Sequence, residues 1–109
     1  MIELTDSSAE VIAERFGALS VPMRLRLLNA LRRGEKSVGE LAEESGAGQA
    51  NTSKHLQLLL QQGFIERRKE GTTNWYRVAD PAVFELCSLI SVGIDKVLER
   101  RRKQLRNRG

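Results

Sequence analysis

The chain has little of several things, and each scarcity removes a class of protein. It has one cysteine, Cys87, so no disulfide can close within the chain and no Cys-rich metal cluster can form. It has one histidine, His55. One His and one Cys offer no nucleophile–base set, and no glycine-rich phosphate loop follows a strand, so an enzyme is the weakest class. Aromatic residues are 5% of the chain. No apolar run approaches the ~20 residues of a membrane span. No signal-peptide pattern is read at the N-terminus, and a cytoplasmic address is expected.

What is present suits a small folded unit. The 109 residues are 40% hydrophobic and 29% charged, which argues against disorder. One domain over residues 1–105 is expected, with a short basic tail at 106–109. The net charge of +4 is unevenly spread. Residues 96–109 carry seven of the 18 Lys and Arg but one of the 14 Asp and Glu, a local +6. The other 95 residues hold eleven basic against thirteen acidic side chains, a net −2. Bulk charge is therefore a poor argument for nucleic-acid binding, and the placement of the remaining cations has to decide.

Periodicity gives the elements. Val11, Ile12, Phe16 and Leu19 recur at helical spacing over about Ser8–Leu19. Pro22 opens a second helix, where its missing N–H is harmless, and Gly34 closes it. Met23, Leu25, Leu27, Leu28 and Leu31 are too dense for one stripe, so this helix is expected to be central. Ser37 and Glu40 form a capping-box pattern for a short third helix, Val38–Ser45. Gly46-Ala47-Gly48 is a turn, and a fourth helix runs from Gln49 to Gln62 with Gly63 at its end. Two strands follow around Gly71–Thr73, with Phe64, Tyr76 and Val78 inward and Arg67 and Arg77 outward. Asp80-Pro81 starts a last helix reaching Leu105. The fold class is mostly α with a small β-hairpin: five helices and two to three short strands.

The fourth helix is unusual in its order. Its first two turns read QANTSKH, and its leucines come later. A short helix, a glycine turn and a second helix make a helix-turn-helix, whose second helix lies in the DNA major groove with its first residues at base edges. Gln and Asn pair with adenine, Ser and Thr accept or donate, and Lys suits phosphate or guanine. The hairpin then reads as a wing. Arg67, Arg68 and Lys69 suit phosphates, and Thr72, Thr73 and Asn74 offer short polar side chains at the tip. Taken singly, a polar helix start is often a solvated end and ERRKE a solvated edge strand. The joint pattern is the specific signal.

The segments FGALSVPMRLRLLNAL (16–31), SVGELAEESGAGQANTSKHLQLLLQQGFIERRKEG (37–71) and WYRV (75–78) resemble the arsenic-repressor (ArsR/SmtB) family of winged-helix regulators. The resemblance implies a homodimer built from the first and last helices, operator DNA as partner, and repression relieved by an inducer. It carries recognition roles onto Gln49, Asn51, Thr52, Ser53, Lys54 and Gln57. Thr52 matches a position that is usually apolar, so it reads as mostly core. His55 matches a frequent His, with a phosphate contact and a packing role both open. The implied dimer face comprises Val11, Ile12, Phe16, Phe84, Cys87, Ile90, Ile94, Val97 and Leu98.

The family's metal-ligand sets are missing. GELAEESGAG has no cysteine, and the last helix has no histidine, leaving Asp80, Glu85, Asp95 and Glu99 as oxygen donors only, a poor zinc set. No metal and no cofactor are expected. Cys87 is the remaining candidate sensor of thiol or redox chemistry, though thiol-responsive relatives use two cysteines. The plainer reading makes it a small hydrophobe on an apolar helix face. The basic tail either reaches flanking phosphates or is a solvated helix end. A winged helix used as a protein-interaction module is the alternative to a DNA-binding regulator.

Overall fold

The computed structural model describes residues 4–108. Residues 1–3 of the expected domain and Gly109 of the expected tail lie outside the described residues. The element order is α1 (Asp6–Leu19), α2 (Pro22–Leu31), β1 (Lys36–Ser37), α3 (Val38–Ser45), α4 (Gln49–Gln61), β2 (Ile65–Glu70), β3 (Thr73–Val78) and α5 (Ala82–Arg108).

Local chemistry sets the boundaries. Thr5 caps α1, and its hydroxyl accepts from the Ser8 backbone N–H while the Ser8 side chain answers. This box starts α1 two residues before the apolar periodicity does. Pro22 opens α2 as expected. Ser37 accepts from the Glu40 N–H at 3.2 Å, and Glu40 accepts in return from the Ser37 N–H. Ser37 also belongs to β1, which pairs with β3 in a three-stranded sheet of order β1-β3-β2. Gly46 at φ +69° takes the left-handed conformation that ends α3. Gly63 at φ +75° plays the same part after α4.

The β2–β3 hairpin closes Glu70 against Thr73, so Thr73 is the first residue of β3 and the turn is Gly71-Thr72. Gly71 has φ +61°, and among the described residues no non-glycine has positive φ. That is the type II′ arrangement, whose twist suits a two-residue hairpin.

Leu27, Leu28 and Leu31 of α2 meet Leu41 of α3, Leu56 and Leu59 of α4, Phe64 just before β2, Ile65 and Tyr76 of the sheet, and Val83 of α5. The crowded leucines of α2 are thus central, except Leu25, which is exposed. Arg15 ties three elements at one edge. It donates to Asp80 at 3.1 Å and lies 4.5 Å from the Phe64 ring centroid, while Asp80 caps α5 through the Ala82 N–H.

α5 differs in length from expectation. It has 27 residues and runs through Arg108. Such a helix is about 40 Å long. Only Val83 is buried, and residues 88–108 are all exposed. The Cα radius of gyration is 17.5 Å, with extents of 62 × 37 × 22 Å. A compact chain of this size has about 13 Å, so α5 projects from the body.

Candidate nucleic-acid interface

Two leucines fix α4 to the core. Leu56 and Leu59 have no exposed surface, which leaves the first two turns of the helix to present the opposite face. Gln49, Asn51, Lys54 and Gln57 are exposed there, and Ser53 is half-buried at its margin. α4 begins at Gly48, φ +80°, with no side-chain cap. Its first N–H groups lack a side-chain cap, the arrangement that attracts phosphate.

Thr52 is corrected. It is fully buried, and its hydroxyl lies 3.3 Å from Ser45 Oγ. The side chain joins α4 to α3 and presents nothing to a ligand. Helical geometry is the reason: Thr52 sits one turn before Leu56 and shares its face.

His55 also looks inward. Arg24 Nε donates to His55 Nδ1 at 3.2 Å. Because arginine only donates, the neutral imidazole carries its proton on Nε2. Arg24 donates as well to the Gly17 and Ala18 carbonyls at the end of α1. The pair pins α4 to α2 and α1. Burial, then the Arg24 and Lys54 charges, hold the His55 imidazole below its ordinary pKa.

The wing has two unlike faces. Register pairs Glu66 with Arg77, Arg68 with Trp75 and Glu70 with Thr73 on one side. There Arg77 bonds Glu66 at 2.7 Å, and Arg68 bonds both Glu70 and Glu35. Arg68 also lies 5.8 Å from the Trp75 ring. Arg68 holds the Glu35 carboxyl below the usual carboxylate range. The other face pairs Arg67 with Tyr76 and Lys69 with Asn74. Among the described residues, Arg67 and Lys69 form no ion pair. Sequence reading grouped Arg67, Arg68 and Lys69 and missed that Glu35, Glu66 and Glu70 neutralise one face. The alternation of strand side chains was the available signal. Thr72 is exposed at the tip and Thr73 is half-buried at the start of β3.

The family described as "Bacterial regulatory protein, arsR family" matches residues 22–67, from the start of α2 into β2. A probable mercury resistance operon repressor of Streptomyces lividans is 36% identical over 87 residues, covering 80% of this chain and 70% of the relative. The chain belongs to the arsR family. It is a DNA-binding transcriptional regulator with a winged helix-turn-helix fold. Solved structures agree. A homodimeric winged helix-turn-helix DNA-binding domain from Mycobacterium bovis, a possible ArsR-family regulator, superposes with TM-score 0.72 at 34% identity, covering 92% of this chain and 95% of that one. The transcriptional repressor BigR of Xylella fastidiosa gives TM-score 0.68 at 32% identity, covering 80% and 89%.

A metal fits this arsR chain poorly. Among the described residues no three His, Cys, Asp or Glu side chains converge. The α3 segment carries no thiol and α5 no imidazole. No step through a metal follows. No helix of the described residues is long and apolar enough to cross a membrane.

The residues expected on the dimer face differ in their exposure within the protomer. Phe84 packs against the protomer's own core, with Arg32 4.9 Å from its ring centroid. Cys87 is half-buried and lines a cleft of about 420 Å³ with Leu25, Leu28 and Asn29 of α2 and Arg32 just after it. Ile12 is half-buried, lining a cavity of about 300 Å³ between α1 and α5. Val11, Phe16, Ile90, Ile94, Val97 and Leu98 are exposed, at 44–59% of their full surface.

Proposed function

We propose that the protein is a cytoplasmic, non-enzymatic homodimeric repressor that binds an operator near its own promoter and leaves it when an inducer binds. Residues 1–105 form one DNA-binding domain with α1 and α5 as dimerisation helices, and 106–109 are its basic end. The observation that carries this reading is the exposed start of α4. Gln49, Asn51, Ser53, Lys54 and Gln57 crowd about two and a half turns whose far side is locked by Leu56 and Leu59. Those residue types read base edges and phosphate. Arg67 and Lys69, exposed on the wing face that they share with Tyr76, supply phosphate contacts, which position without specifying. Large apolar side chains left exposed on α1 and α5 support the dimer.

A two-fold dimer carries two recognition helices about 34–36 Å apart, so the operator is an imperfect palindrome with half-sites about one turn apart. Fluorescence anisotropy on DNA from upstream of the gene tests this, with an unrelated duplex as control. The expected result is preferential binding that weakens with salt. Replacing Gln49, Ser53 and Lys54 with Ala should abolish the preference and keep the dimer. A footprint over one unpaired half-site with a monomer bound would refute the geometry. Binding that ignores those three substitutions would favour a protein-interaction module.

Cys87 supports a second reading for the inducer. It lines a cleft with Asn29, Arg32, Ser88 and Ser91 between α2 and α5. A thiol oxidant that releases DNA from the wild type but not from Cys87→Ser would make it the sensor. Equal release from both would leave it a packing residue.

A further inference from the structure

The cavity between α1 and α5 has a volume of about 300 Å³. That stands at the lower end of the ~300–1,000 Å³ range of small-molecule sites. Ile12, Phe16 and Leu19 of α1, Val83 and Leu86 of α5, and Phe64 make its lining apolar, and Arg15 and Asp80 bring the charge. The hydrogen bonds of that pair do not balance. Both Asp80 oxygens are engaged: Oδ2 accepts from Arg15 Nη2 at 3.1 Å, and Oδ1 accepts from the Ala82 N–H at 3.2 Å. Arginine has five N–H donors, and among the described residues Asp80 is the one hydrogen-bond acceptor of Arg15. The site therefore combines apolar walls with surplus N–H donors, and a molecule that fits it carries an acceptor. Asp80 decides the charge of that acceptor. It already balances Arg15, so an anion would meet a like charge and shed its own hydration on entry. A cation would meet Arg15. An uncharged carbonyl accepts the N–H at neither cost.

Phe64 joins this cavity to α4 and the wing. Its N–H donates to the Leu59 carbonyl of α4 at 3.1 Å, and its carbonyl accepts from the Ala79 N–H at 2.9 Å, between β3 and α5. The next residue, Ile65, starts β2. The Arg15 guanidinium lies over the Phe64 ring. A molecule bound to Arg15 therefore presses on the junction between the recognition helix and the wing. Resting on the reading of an inducer-released repressor above, we infer that this cavity is the inducer site and that it takes a small apolar molecule bearing an uncharged carbonyl, such as an aryl ketone. The ligand releases DNA to the extent that it binds the DNA-free form more tightly.

Four molecules of similar shape test this: acetophenone, ethylbenzene, benzoate and benzylammonium. Each is titrated into the full chain, and the methyl NMR signals of Ile12, Leu19, Val83 and Leu86 report binding. Acetophenone should bind about tenfold more tightly than ethylbenzene, the worth of one hydrogen bond to a charged donor, and more tightly than either ion. Arg15→Met keeps an apolar stem and removes the donors, so acetophenone should fall to the affinity of ethylbenzene, which should not change. Asp80→Asn leaves Arg15 unbalanced, so benzoate should overtake acetophenone. Leu86→Phe fills the cavity from α5 and should abolish binding of all four, which decides the case if Arg15→Met does not fold. Saturating acetophenone should weaken operator binding about fivefold or more in the wild type and not in Leu86→Phe. Equal binding of the four, or none to a chain that dimerises and binds its operator, would overturn the site and leave the repressor standing. Methyl signals that move on dimerisation and ignore the ketone would overturn it too, and give the cavity to a side chain of the second copy. Ketone binding that leaves operator affinity unchanged would overturn the inducer role. A chain that binds the ketone in this order and ignores every operator duplex would overturn the repressor reading itself.

Discussion

The two faces of the wing make an electrostatic prediction that separates adjacent residues. Arg67 and Lys69 form no ion pair among the described residues, while Arg68 is held by two carboxylates, Glu35 and Glu70. Each phosphate neutralised on duplex DNA contributes about 0.9 to the slope of log affinity against log salt. Replacing Arg67 and Lys69 with Ala removes two contacts per protomer and four per dimer, a slope change of about 3.6. Between 50 and 200 mM salt that slope alone is worth about two orders of magnitude in affinity. Arg68→Ala removes a cation already balanced within the protein, so the slope should change by less than about 1. The assay is anisotropy on one duplex at four salt concentrations, for wild type, the double variant and Arg68→Ala. If Arg68→Ala lowers the slope as much as the double variant, the ion-paired face opens onto DNA and the assignment of faces is wrong.

Other expectations follow from single contacts. Thr52→Val should fold and bind DNA as the wild type does, because Thr52 is buried against Ser45, whereas Ser53→Ala should weaken binding in the same titration. Leu59→Ala should cost about 2–5 kcal/mol in urea unfolding, since Leu59 is fully buried among the helices. Ser37→Ala should cost about 1 kcal/mol in the same assay, through loss of the α3 cap. His55 sets a pH dependence. Its folded pKa lies below the ordinary value of 6.5, so on acidification the unfolded chain takes up the proton first. Stability should fall as pH drops below about 6.5 and through the folded value, where the Arg24–His55 bond is lost. A thermal-melt series from pH 8 to 5 would show a smaller decline for His55→Gln.

The legible part of this protein was the part governed by local chemistry. The Ser37–Glu40 box, Pro22 at the start of α2 and the glycines at 46, 48 and 63 each act within a few residues, and the helices ended where they indicated. The exposed start of α4 was legible for the same reason, since its polar residues precede its leucines. What was not legible depended on distant partners. β1 has two residues and exists because β3 passes beside it. Arg68 looked free until Glu35, 33 residues away in sequence, was brought to it. His55 gained its partner from α2. Phe84 stands on the dimer face that the family resemblance implies, while its helical spacing reports only that a face is apolar and not what covers it. The same limit governs α5 as a whole. Its periodicity continues from Val83 to Leu105, but the protomer covers only the first turns. The remaining turns are left for the proposed dimer to cover. Truncation after Glu99 tests that directly: the fold should survive, because no core side chain is lost, while the dimer weakens.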